Sequence, residues 1–384
     1  MCEVINRIQK FKNHEQLLLL LSRKVVLDDY KEYCQNLIDD PAFNWEEFLG
    51  LAYNNRLNGV IYNRIIQFRH IPRETLLCLQ LSFQAQKERE KIHQKEIYEI
   101  FKQFENENLS YAFLKGAVIN TLLYEHGERI SNDTDIMVDE KDLQKCSEIL
   151  ERMGYIQGSL DKKTNKIIPA TNREKIFARI NTYEVSPFIK ETEKSFLNFH
   201  SVDVNFKLSN NEDSSNSKRM LENATVVSNS NGSIRTFAKE HFFIFICIHL
   251  YREAVMMSQI LIGKDLMTYK FLDIHFWVLS IEMDWDIIYN NAKEINKLKE
   301  VYYTMYFTEI LYPKTINEDV LKKFKVDDCS YLNEYMGKEN SDERYKWNLT
   351  FEERVFSRSR IVEAFKNLKE EDTRYEKIKT ALKE

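Results

Sequence analysis

Two aspartates spaced by one residue, Asp133 and Asp135, stand at the entrance to a short apolar run, Ile136-Met137-Val138, and no other stretch constrains this chain as tightly. The run predicts a β-strand, on which side chains at i and i+2 share a face. Asp133 and Asp135 then project together, while Thr134, Ile136 and Val138 face the other way into a core. Adjacent carboxylates repel each other, and keeping both ionised calls for a cation between them. All-oxygen ligands of this kind suit Mg²⁺, with Mn²⁺ as a substitute, and paired carboxylates are what a metal site for phosphoryl chemistry requires.

The residues upstream fit the same chemistry. A short apolar run, Tyr111–Leu114, ends in Lys115-Gly116, and a helix-like segment follows over Ala117–Tyr124. A polar loop carrying Arg129 and Ser131 leads into the aspartates. The order predicts strand, tight glycine turn, helix, loop, strand. A glycine at the start of a helix lets the backbone approach phosphates, and the first turn offers free N–H groups to them. Further on, Val202, Val204 and Phe206 alternate with Asp203, Asn205 and Lys207, a strand signature with a carboxylate on its polar side.

Lys-Gly after a strand, an Arg in the next loop, and Asp-x-Asp before apolar residues together resemble the nucleotidyltransferase superfamily typified by polymerase beta. The resemblance is closest to the branch of uncharacterised nucleotidyltransferases with a Lys-Gly turn. It extends over most of residues 45–310, with its specific motifs in 114–138 and 202–206. It implies an α+β fold, with a small mixed β-sheet core between N-terminal and C-terminal helical regions. It also implies a third carboxylate on a later strand, for which Asp203 is the candidate. Asp133, Asp135 and Asp203 would be the catalytic and metal-holding residues. Lys115, Gly116, Arg129 and Ser131 would contact the nucleotide. Two positions depart from the pattern: Ala117 stands where the commoner turn has Ser, and Asn205 stands where a His often follows the third acid.

The implied reaction is Mg²⁺-dependent attack of a hydroxyl on the α-phosphate of an NTP, with release of pyrophosphate. The acceptor is open: a sugar or antibiotic, or a peptide or protein side chain, with the C-terminal helices as its binding wall. Each residue also has a plainer reading. Lys115 can cap a strand end, Arg129 can pair with Glu125 or Glu128, Ser131 can serve the turn, and Asp203 can be a surface strand residue. Two other functions fit the same residues: a non-catalytic nucleotide-binding or interaction protein that keeps the fold, and a kinase-like transfer of the γ-phosphate.

The remainder of the chain frames this core. Its 384 residues exceed one ordinary core, and three parts are expected: a helical region over 1–107, the core over 108–210, and a helical domain over 211–384. Nine Gly and five Pro in the whole chain favour helices over tight turns. A long helix is predicted from about Arg73 to Glu107, its charged middle (QKEREKIHQKE) reading as a solvated face. Lys175–Val185 alternates and predicts a strand, and from Thr236 onward the pattern is helical. With a net charge of −5, no general nucleic-acid affinity follows. Six cysteines without a Cys-x-x-Cys pair read as reduced thiols of a cytoplasmic protein. The N-terminus lacks a signal-peptide apolar region, and the longest apolar run, Phe242–Leu250, is too short for the roughly 20 residues of a membrane span.

Overall fold

A computed structural model describes residues 3–25, 28–161, 163–208, 214–229, 232–337 and 343–367. The chain divides into two compact units, one of residues 80–242 and one of 1–79 with 243–384.

The unit of residues 80–242 carries the sheet, and its class is the expected α+β. Among the described residues eight strands join in the order β4-β3-β5-β6-β2-β1-β8-β7. They are β1 (Tyr111–Phe113), β2 (Thr134–Val138), β3 (Ile156–Asp161), β4 (Lys166–Pro169), β5 (Phe188–Lys194), β6 (Leu197–Asn205), β7 (Thr225–Asn229) and β8 (Gly232–Thr236). The centre is mixed: β2 runs antiparallel to β1 and parallel to β6, and β1 runs parallel to β8. Every residue of β2 is buried, as a strand in the middle of a sheet covered on both faces should be. The helix Arg73–Asn106 reaches into this unit, where Glu105 takes two hydrogen bonds from Arg235 of β8 and one from Tyr111 of β1.

Three expectations change here. Lys175–Val185 is not a strand; the helix Asn172–Asn181 occupies most of it. Thr171 and Glu174 form a reciprocal capping box that starts this helix, and the apolar residues of the alternation, Ile176 and Ile180 among them, lie exposed rather than on a core face. The sheet also runs past residue 210, because the β7–β8 hairpin adds to β1. Residues 230 and 231, between these two strands, lie outside the described residues. Finally, the charged middle of the long helix is not all solvated: Glu90 and His93 are buried.

The other unit is mostly helical. Asn44 caps the helix Trp45–Asn54 by accepting from the Glu47 N–H. Leu17–Leu21 and the helices Thr268–Ser280 and Leu298–Leu311 supply much of its core. A small hairpin of β9 (Glu334–Met336) and β10 (Arg344–Lys346) interrupts the helical pattern predicted after Thr236. The terminal helical pair expected over 341–384 is described only through the helix Ser359–Lys366; residues 341, 342 and 368–384 lie outside the described residues. Phe242–Leu250 falls inside the helix Lys239–Val255 and is largely buried. Among the described residues no helix is long and apolar enough to cross a membrane, and the five described cysteines are free thiols.

Candidate active site

The site is built where β1, β2 and β6 lie side by side. In the parallel register of β2 and β6, Asp135 is the Cα partner of Asp203, and Thr134 and Ile136 partner Val202 and Val204. Two acids 68 positions apart in sequence thus become nearest neighbours across a strand pair. Asp133 sits one residue before β2 and half-exposed. Its carboxylate, with those of Asp135 and Glu184, acts on Asp203: burial first, and then these three charges, push the Asp203 carboxyl up to about 8, while Lys115 pulls it down.

Lys115 supplies the cation nearest the acids. Its Nζ donates to Asp135 Oδ1 at 2.5 Å, and the Asp135 side chain is buried. The backbone prepares this contact. Leu114 N–H donates to the Asp135 carbonyl at 2.9 Å, locking the end of β1 to β2. Lys115 then takes a left-handed conformation, φ 43°, and begins the helix Lys115–Leu123. The left-handed residue of the predicted glycine turn is therefore the lysine. Such a conformation costs a non-glycine residue about 1–2 kcal/mol, and here it brings the ammonium back over β2.

Gly116 has a different task. A Cβ at this position would lie 2.3 Å from Ser131 Oγ and 3.0 Å from Arg129 Nη1. Glycine is required so that the loop carrying Arg129 and Ser131 can close against the first turn of the helix. Ser131 Oγ donates to the Asp133 carbonyl at 3.0 Å, fixing the turn into β2. Arg129 is buried; its Nη1 donates to Asn120 Oδ1 at 2.9 Å, and Asn120 Nδ2 returns a bond to the Arg129 carbonyl at 3.2 Å. The structure thus gathers Lys115, Gly116, Arg129, Ser131, Asp133, Asp135 and Asp203 about the ends of three strands. Asn205 is buried, and its amide reaches backbone carbonyls of Ile136 and Asp203.

Four supporting residues lie outside the sequence prediction. Glu184 comes beside β6 through a bridge to Asn205, with Val185 N–H donating to the Val204 carbonyl. The alternation Lys175–Val185 holds Glu184, but nothing in that alternation sets it apart as a residue beside the acids. Glu90 accepts the Gly127 N–H at 2.7 Å, where Gly127 adopts φ 94°, and so anchors the loop that delivers Arg129. Burial pushes the Glu90 carboxyl up to about 7 against that hydrogen bond and the Arg129 charge. His93 and His200 lie beneath the acidic strand. Thr134 Oγ1 is 2.9 Å from His200 Nε2 and 3.3 Å from His93 Nε2, and His200 Nδ1 is 2.7 Å from the Tyr155 hydroxyl. Burial holds both imidazoles below their usual range, His93 at about 4. These two histidines stay neutral, and Thr134, lying between the aspartates in sequence, is pinned from below.

The donor set is all carboxylate oxygen, and three carboxylates act on Asp203 against the single charge of Lys115. Both features fit a hard divalent cation. Among the described residues no three Asp, Glu, His or Cys side chains are already gathered closely enough to hold a metal ion; Lys115 occupies Asp135 in their stead.

A family model described as "Uncharacterised nucleotidyltransferase" matches residues 41–313. No curated protein matches the chain. Among solved structures, an antigenic nucleotidyltransferase-like protein from Paracoccidioides brasiliensis aligns over 61% of this chain and 93% of its own, at 12% identity and a TM-score of 0.34.

Proposed function

Because the chain belongs to the uncharacterised nucleotidyltransferase family, we propose that it transfers a nucleoside monophosphate from an NTP to a hydroxyl acceptor and releases pyrophosphate. The acceptor is a small molecule or a peptide or protein side chain. The observation that supports this reading best is the in-register pair Asp135 and Asp203 with Lys115 bound to one of them.

Asp133, Asp135 and Asp203 are the residues that would hold Mg²⁺. When bound, the ion neutralises charge on the triphosphate and lowers the pKa of the attacking hydroxyl. Lys115 then exchanges the Asp135 carboxylate for a phosphate oxygen, so that its charge moves from the ligand set to the substrate. Arg129, held on the helix Lys115–Leu123 by Asn120, presents a fixed guanidinium beside that helix's N-terminus, where phosphate is favoured by the N–H groups and the dipole. With the cation's charge beside it the Asp203 carboxyl would be ionised, and it would then accept the proton of the acceptor hydroxyl. Catalysis in this scheme is positioning and charge stabilisation, as in other phosphoryl transfers.

Product analysis tests the proposal. Incubation with each NTP, Mg²⁺ and a panel of hydroxyl acceptors (sugars, antibiotics, peptides and proteins) should release pyrophosphate together with an NMP-labelled acceptor, and Asp135→Asn should abolish both. A nucleoside diphosphate as the product would overturn it in favour of γ-phosphate transfer.

A further inference from the structure

In the helical unit a pocket of about 230 Å³ opens between two helix C-termini and one helix N-terminus. Arg56, Lys264, Arg358 and Arg360 line it, together with apolar residues such as Met267 and Phe356, and among the described residues no Asp or Glu does. Arg56 and Lys264 follow the helices Trp45–Asn54 and Met257–Leu261, and cations after a helix C-terminus are favoured in any protein. Arg358 and Arg360 are placed the other way. Arg358 is the N-cap of the helix Ser359–Lys366 and Arg360 lies in its first turn, where the dipole opposes positive charge.

Among the described residues only Arg360 of these cations meets a carboxylate. Arg360 is 7% exposed, and its Nε donates to both carboxylate oxygens of the fully buried Asp265 while Nη1 donates to the Arg354 and Ser357 carbonyls. Its Nη2 meets no acceptor among the described residues. Arg56 lies over the Tyr269 ring, 5.3 Å from its centroid, with no carboxylate partner among the described residues. Lys264 and Arg358 likewise have none there, and both are exposed. Arg56 (φ 54°) and Gly263 (φ 68°) take the left-handed conformation that closes the ends of the helices Trp45–Asn54 and Met257–Leu261.

We infer that this pocket binds a small oxyanion, phosphate or carboxylate, carried on an apolar body. The anion meets Arg358, Lys264 and the open Nη2 of Arg360, and the body packs against Met267 and Phe356. The volume lies below the roughly 300–1,000 Å³ of sites for drug-sized ligands, so the ligand is a compact one. The inference is independent of the nucleotidyl-transfer reading, because none of these residues belongs to the acidic site.

Calorimetric titration of the full chain with phenyl phosphate, benzoate and inorganic phosphate tests it. At least one aromatic anion should bind saturably at one site and more tightly than inorganic phosphate. The tighter of the two aromatic anions identifies the headgroup. Arg358→Gln and Lys264→Gln, both at exposed positions, should each weaken binding roughly tenfold or more, the loss of one charge-assisted hydrogen bond. Lys115→Met should leave it unchanged. Absence of saturable binding, or binding that survives both pocket variants and disappears in Lys115→Met, would overturn the inference.

Discussion

Asp135 and Asp203 face each other as Cα partners on neighbouring parallel strands, one carrying a lysine ion pair and the other repelled by three carboxylates. In the metal-free protein this is a conflict. The folded state raises the Asp203 carboxyl from 3.8 to about 8, so between those values the folded state holds more protons than the unfolded one. Stability from this group therefore falls as pH rises across that window. Asp203→Asn should stabilise the metal-free protein near neutral pH by on the order of 1–2 kcal/mol and flatten its decline toward pH 8, as read by denaturant melts at several pH values. A variant less stable than wild type at pH 7.5 would show that the acids do not share one field.

The histidines below the strand give the opposite slope. His93 is held from 6.5 down to about 4 by burial, so the stability that depends on its neutrality is present above 6.5 and is lost as pH falls toward 4. Thr134→Val removes the hydroxyl that bridges His93 and His200 and leaves buried polar atoms unmatched. It should cost about 1–3 kcal/mol at pH 7. A double-mutant cycle with Tyr155→Phe should show coupling, since Tyr155 bonds the other nitrogen of His200. Additive effects would mean that the network is not connected.

Lys115→Met removes the ammonium that bonds Asp135 Oδ1, next to a buried carboxylate. An uncompensated buried charge typically costs 3–5 kcal/mol; Lys115 is a quarter exposed, so about 2 kcal/mol is expected. Asp135→Asn in the same chain should recover most of that stability without recovering turnover. If the double variant is no more stable than Lys115→Met, the pair is not what holds the lysine.

Gly116→Ala tests the close approach of loop and helix. The new methyl would fall 2.3 Å from Ser131 Oγ, and overpacking of this kind costs about 1–3 kcal/mol. Ser131→Ala in combination should restore part of the loss by removing that oxygen. An unchanged melting temperature for Gly116→Ala alone would place the loop away from the helix start.

How far the fold and the site are legible in the sequence depends on how local each signal is. Alternation over 202–206 and the apolar run after Asp135 are periodic, short-range patterns, and both form central strands, with Asp135 opposite Asp203. The capping box Thr171–Glu174 is equally local, yet the alternating letters after it hide a helix whose apolar residues stay exposed. Glu90 and His93 are unreadable for another reason. Within a charged helical stretch nothing in the sequence says which turns meet a sheet, and only the packing of Gly127 and Asp133 against that helix makes two of its polar residues structural. The β7–β8 hairpin pairs with a strand more than a hundred residues earlier in the chain, a non-local choice that strand propensity does not encode.

The most direct test is anomalous diffraction from crystals grown with Mn²⁺ and a non-hydrolysable NTP. The account predicts a manganese peak against the carboxylates of Asp135 and Asp203, with Lys115 swung from Asp135 onto the triphosphate. A nucleotide bound without metal at these acids, or a metal peak elsewhere with the Lys115–Asp135 pair intact, would contradict it.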